Sequence, residues 1–547
     1  MKRLLVIILL LTGFATGFAQ TGREKGYSSI TRDLIQGQLE FLASDWMEGR
    51  ATGTPGIYLA SDYIASMFRT YGIRPFGDNE RYIPSREEIR EGARPGTRKS
   101  YFQKISLLQY EPGELQEFAV ISSSGLSETA VNFNHKVDFQ VQTGTTGVSG
   151  KAPVFFAGYG LTEKDYDEYK KKEIKGKVVV ILSGFPGHRD STSAAFRKFN
   201  PGVPATARFS PERNKIRKAE ELGAVAVVLV NPDANPAQNW SDNNPYPFKG
   251  TYYESDTRLS SYYDKRMMLP GDTLRGSIPV FSVTNRVANQ LLQGINLKEF
   301  EARAQETATP DSRDLGNQFV SWNTTVKSRM ITCRNVLGYI EGKSTDEFIV
   351  IGAHYDHLGK FNGWIWNGAD DNASGTVGVL SLAKAFADSG EQPEKSIIFA
   401  AWTAEESGLH GSRYFVANFP ATRKLLYNLN FDMLSRNDVN DTKGNQMSMI
   451  YTDFSPKVKD LTEKNIREFN LDIDVRYRPG SGSGGSDHAP FVQAGIPAAF
   501  FFAGMHPDYH LPSDELSKIN WDKMLNLIRL GFLNIWDLSK NSEYLQK

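Results

Sequence analysis

Phe348-Ile349-Val350-Ile351-Gly352-Ala353-His354-Tyr355-Asp356-His357 decides the fold. Its apolar run, Phe348 to Gly352, has the length and β-branched content of a buried strand. It ends abruptly in imidazoles and a carboxylate, groups that a protein rarely buries without a partner. A strand that delivers such groups at its carboxyl end suggests a site at the edge of a sheet.

The pattern repeats outward from there. Gly368-Ala369-Asp370-Asp371-Asn372-Ala373-Ser374-Gly375 precedes a helix predicted from Thr376 to Phe386, with Val379, Leu382, Ala383 and Phe386 on its apolar face. A strand over Ser396 to Trp402 ends in Thr403-Ala404-Glu405-Glu406-Ser407-Gly408. Another, Asn428 to Asp432, ends in a carboxylate, and Ala498 to Phe502 is followed by Pro507-Asp508-Tyr509-His510. Helices are predicted from Gly411 to Phe415, Pro456 to Glu468 and Ile519 to Leu538. This alternation predicts an α/β fold: a mixed, mostly parallel sheet sandwiched by helices, with ligands at the carboxyl ends of its strands. Each fragment alone has a bland explanation. H-x-D is commonly a surface pair, Asp370-Asp371 suits a helix cap, and Glu405-Glu406 suits a solvated face. Five successive units presenting His or carboxylate at one edge point instead to a metal centre.

The rest of the chain frames this half. Lys2 and Arg3, the apolar run Leu4 to Leu11 and small residues at Gly17 and Ala19 predict a secretory signal over residues 1–19. Export to the periplasm or the medium follows, with no stable membrane insertion. Two amphipathic helices flank a Gly/Pro-rich turn, Glu48 to Gly56. Residues 76–100 suggest a surface loop and Tyr101 to Leu108 a strand. Between them and the site half lie buried strands at 152–160, 176–182, 224–230 and 278–283, which predict a separate inserted unit. The expected organisation is 26–111, the N-terminal part of the catalytic domain; 112–315, the inserted domain; and 316–547, the rest of the catalytic domain. Lys+Arg and Asp+Glu both number 63, so no net charge draws the chain to nucleic acid or an anionic membrane. The lone Cys333 excludes an internal disulfide and is expected to be a core strand residue.

These motifs, in this order, resemble the zinc aminopeptidase family that includes glutamate carboxypeptidase and the transferrin receptor. The segment 152–292 resembles the β-rich protease-associated (PA) domain inserted in many members, and Glu48 to Gly56 resembles a turn in their N-terminal helices. The resemblance implies a zinc-peptidase/phosphorylase-like fold and two zinc ions, with cobalt or manganese also compatible with N/O ligands. It implies that His354 and Asp432 hold one ion, Glu406 and His510 the other, and that Asp370 bridges them beside a cis Asp370-Asp371 peptide. Asp356 would accept a hydrogen bond from His354, and Glu405 would be the general base. His357, His410 and His506 are read as non-ligands, and His135 and His188 as incidental. Asp514 is expected to orient the His510 loop, and the glycine-rich Gly480 to Gly485 to line the cleft.

The activity so implied is removal of N-terminal residues from peptides through a dizinc-activated water. Three alternatives stay open: a glutamate-carboxypeptidase-like hydrolase that needs an arginine cluster, a glutaminyl cyclase with one zinc, and a non-catalytic binding protein. Neither side-chain preference nor oligomeric state follows from the sequence.

Overall fold

The computed structural model describes residues 20–545, apart from 136, 143, 145, 164, 200–210, 232–264, 273–277, 362–363 and 481–483. The expected signal segment and much of the glycine-rich loop lie outside the described residues.

One 16-stranded sheet runs through the molecule. At its centre is Ser344–His354, flanked by Lys395–Trp402 and Lys424–Phe431, with Ala498–Phe502 beyond. These four strands are mutually parallel, so their carboxyl ends emerge at a single edge. Their residues are almost continuously buried, as expected where helices cover both faces. Gly375–Asp388 and Trp521–Lys540 supply much of one covering layer and pack with the N-terminal helices Arg32–Leu42 and Pro55–Thr70. Asn520 caps the longest helix by accepting from the Lys523 amide at 3.1 Å, satisfying one of its unpaired N-terminal donors. No helix among the described residues is long and apolar enough to cross a membrane.

The same sheet continues into residues 112–315. Val148–Phe156, Val178–Leu182, Ala226–Val230 and Val280–Val283 form a second parallel set. Its core of Phe118, Phe139, Val180, Val228 and Phe281 is separate from the core around Val350 and Leu429. The clusters around Val180 and around Leu429 share no residue, while a small cluster with Met267, Cys333 and Ala404 spans the two segments. The expected boundaries of the inserted unit do not coincide with breaks in the chain. Phe102–Ser124 runs on through residues 111/112 and Arg313–Ile340 through 315/316, and the two pair antiparallel from Ser122↔Gln318 to Phe102↔Val336, with one register shift between Thr324 and Val326. This two-stranded ribbon is the bridge between the cores. Cys333 is buried on it.

Candidate metal centre

Sharp turns at the strand ends aim the polar side chains. Ala404, Met433 and His510 adopt left-handed backbone at φ 56°, 58° and 57°. Each costs a non-glycine residue roughly 1–2 kcal/mol. All three sit at or beside a candidate ligand, and such strain concentrates where function fixes geometry.

His354 closes its strand, and its Nε2 is 3.4 Å from Asp371 Oδ1, 3.5 Å from Asp432 Oδ1 and 3.8 Å from Glu405 Oε2. On the other side, His510 Nε2 is 3.1 Å from Asp371 Oδ2 and 3.2 Å from Glu406 Oε2. One carboxylate, Asp371, thus turns an oxygen toward each imidazole. Ligand atoms held at about 2.1 Å by a tetrahedral zinc stand roughly 3.4 Å apart, so these spacings fit N/O donors that share cations. Asp432 Oδ1 is buried without a hydrogen-bond partner among the described residues, an orphan that a cation would satisfy.

His354, Glu405, Glu406, Asp432 and His510 therefore come together as the sequence implies, but Asp370 does not join them. Its Oδ1 accepts from the Ser435 amide and hydroxyl, each at 2.6 Å, and its Oδ2 is 3.2 Å from His506 Nε2. Asp371 takes the inward place, and the cis peptide is Asp371-Asn372. Both corrections are the same one-residue offset. Adjacent residues of this irregular turn face opposite ways, and spacing along the sequence does not say which carboxylate points inward.

The supporting contacts also differ in detail. His354 Nδ1 lies 3.1 Å from the Asp356 main-chain oxygen and 3.9 Å from its carboxylate. That carboxylate instead accepts the amides of Glu405 at 3.0 Å and Glu406 at 3.4 Å, and the Thr52 hydroxyl at 3.2 Å. Asp514 belongs to the His510 segment yet accepts the Asp371 amide at 3.0 Å, fastening one loop to the other. His357 Nδ1 is 2.7 Å from Glu406 Oε1 and orients it. Ser486 donates to Asp432 Oδ2 at 2.6 Å. The sequence signal for Ser486 was its place in Ser486-Asp487-His488; Thr52 and His506 carried none. His410 Nε2 is 2.9 Å from the Met267 carbonyl, away from the centre.

The centre attracts positive charge. Burial alone would depress both imidazoles, but Glu405 and Asp432 hold His354 well above the usual range, and Glu406 and Asp371 do the same for His510. Burial pushes Glu405 well above the ordinary carboxylate range, opposed by His354. Burial would raise Glu406 too, yet His510 and His357 hold it well below. Two adjacent glutamates thus sit in opposite electrostatic environments, the condition for different tasks.

The family model for "Peptidase family M28" matches residues 335–532. A protein named glutamate carboxypeptidase 2 homolog from Caenorhabditis elegans is 28% identical over 406 residues, covering 64% of this chain and 48% of the worm protein. Leucine aminopeptidase 2 of Arthroderma otae is 29% identical over 298 residues, covering 52% of this chain and 56% of its own. A solved aminopeptidase from Aneurinibacillus sp. strain AM-1 shares the fold with a TM-score of 0.57 at 18% identity, over 95% of this chain and 96% of that one. The chain spans about half the length of the curated relatives it matches.

Proposed function

We propose that the chain is an exported exopeptidase that removes N-terminal residues from peptides, using two zinc ions, a reading supported by the match of residues 335–532 to the peptidase family M28 model. The observation that carries this reading is the Asp371 carboxylate, with one oxygen toward His354 and the other toward His510. His354 and Asp432 would hold one ion, Glu406 and His510 the other, with Asp371 between them. When bound, the pair supplies Lewis-acid polarisation of the scissile carbonyl and a water acidified toward neutral pH.

Glu405 is left over once each half has three protein donors. Its Oε2 faces the His354 half. It takes the proton from the attacking water and returns it to the departing amine as the C–N bond breaks. Asp356 fixes this base by accepting its amide hydrogen. Export rests on the secretory signal expected from the sequence of residues 1–19, and the 112–315 segment is read as a PA domain. A C-terminal carboxylate reader needs free arginines near the cleft. Arg413 is engaged by Asp272 at 3.2 Å and Arg436 by Asp508 at 2.7 Å.

The test offers three substrates with and without a chelator: an aminoacyl-nitroanilide, a C-terminal glutamyl peptide and an N-terminal glutaminyl peptide. Chelator-sensitive turnover of the first alone is expected. Turnover of only the second or third would replace this reading with a carboxypeptidase or a cyclase. Glu405→Gln should keep both ions and lose about 10²–10⁴-fold in turnover; full activity in that variant would remove Glu405 as the base.

A further inference from the structure

Arg50 is fully buried, in the turn between the helices Arg32–Leu42 and Pro55–Thr70. A buried guanidinium ordinarily meets a carboxylate. Among the described residues, the hydrogen bonds of Arg50 instead all end on main-chain carbonyls. Nε donates to Tyr355 at 2.9 Å, Nη1 to Leu42 and Asn367 at 2.7 Å each, and Nη2 to Gly368 at 3.0 Å. Tyr355 lies between His354 and Asp356, while Asn367 and Gly368 lead directly into the Asp371 turn. One planar fork therefore grips both loops at once.

The surrounding turn is shaped for this grip. Glu48, Gly49 and Arg50 are successively left-handed, at φ 47°, 66° and 50°. A Cβ on Gly49 would fall 2.3 Å from the Gly359 oxygen and 2.5 Å from the Trp366 oxygen, so only glycine permits the approach. The Arg50 carbonyl accepts the His357 amide at 3.2 Å. Two residues on, the Thr52 hydroxyl reaches the Asp356 carboxylate that also holds the Glu405 and Glu406 amides.

We propose that Arg50 is a positioning residue for the metal centre, setting the spacing between the backbone of His354 and the backbone of Asp371, with Thr52 assisting through Asp356. This rests on the two-cation reading above. Arginine suits the task because its donors diverge in fixed directions in one plane, whereas a lysine ammonium offers a point charge on a flexible stem. It also places a permanent cation among acids: the charges of Asp371, Asp514, Asp356 and Glu406 all act on it. Arg50 lies outside the 335–532 match, so the matched domain alone lacks this brace.

The test is cobalt titration of the metal-free full chain, followed by visible absorption and equilibrium dialysis. Wild type should bind two ions. Arg50→Lys should weaken at least one by on the order of 10–100-fold and change the cobalt spectrum, at unaltered far-UV circular dichroism. Thr52→Val, which removes only a hydroxyl, should weaken binding by about tenfold. If Arg50→Lys binds both ions with wild-type affinity and spectrum, the proposal is overturned. If that variant does not fold, wild-type affinity in Thr52→Val overturns it instead. Failure of wild type to bind two ions would sink the two-cation reading itself, a separate result.

Discussion

The molecule buries carboxylates in two contrasting ways. In residues 112–315, Glu168 accepts the Tyr159 amide at 3.1 Å, the Leu161 amide at 2.9 Å and the Tyr166 hydroxyl at 2.9 Å. Every donor comes from the neighbouring chain, and the carboxylate caps a turn whose Gly158 and Gly160 are left-handed, at φ 57° and 69°. In residues 335–532, Asp371 comes from the turn before a helix, Glu405 and Glu406 from one strand end and Asp432 from another, and all four crowd two imidazoles. A buried acid supplied with local N–H and O–H donors is scaffold. Acids that meet from distant strand ends, with more negative oxygen than hydrogen to satisfy it, form a cation site.

The largest effect should separate two adjacent aspartates. Asp371→Asn should lower turnover by about 10³-fold or more, equivalent to several kcal/mol of charge stabilisation, and should reduce bound zinc. Asp370→Asn should stay within about 100-fold, because Asp370 supports the Ser435 turn from outside the centre. Steady-state kinetics and metal analysis on both would decide it; the reverse ranking would restore Asp370 as the bridge. A smaller effect comes from metal removal. Ions at about 1,000 times their dissociation constant stabilise the folded form by roughly 4 kcal/mol each. Chelation should therefore speed amide exchange in Ser344–His354 and leave Val178–Leu182 nearly unchanged. Equal loss of protection in both strands would mean that the two cores unfold as one.

What the sequence made legible follows the same division. The apolar runs Phe348 to Gly352, Val178 to Leu182 and Ala498 to Phe502 appear as strands because burial on both faces leaves an unbroken signal. The long ribbon strand Arg313–Ile340 and the edge strand Asp474–Gly480 were not anticipated beyond fragments. Asp474–Gly480 alternates exposed and half-buried residues and carries Arg476, Arg478 and Pro479, the composition of a guarded edge. At the site, the polar clusters that hold His354, Glu406, Asp432 and His510 were legible from their place after strands, and the choice of these four came from the family resemblance. The inward turn of Asp371 rather than Asp370 was not, because backbone dihedrals in an irregular turn decide it. Arg50 was hidden for another reason: it bonds only to carbonyls, which have no side-chain signature in the sequence.

The smallest effect tests the scaffold side of the comparison. Burial pushes Glu168 up from 4.5 to about 7, against the amides of Leu161 and Tyr159 and the Tyr166 hydroxyl, which favour its charged form. Its folded-state value is raised, so the unfolded chain loses this proton first as pH rises. The folded state then holds more protons than the unfolded state between about pH 4.5 and 7, and stability falls across that window. The contribution is complete below 4.5 and lost through about 7, up to roughly 3 kcal/mol in all. Glu168→Gln is neutral throughout and should abolish this slope. It should also weaken the turn by about 1 kcal/mol where wild-type Glu168 is ionised, because its amide meets the Leu161 N–H that the carboxylate accepted. The measurement is amide exchange of Val178–Leu182 at pH 5 and pH 8, corrected for the intrinsic rate. Wild type should lose protection between the two and the variant should not. The same slope in both would place the titrating group elsewhere, and Glu168 would then be ionised when buried, as Glu406 is.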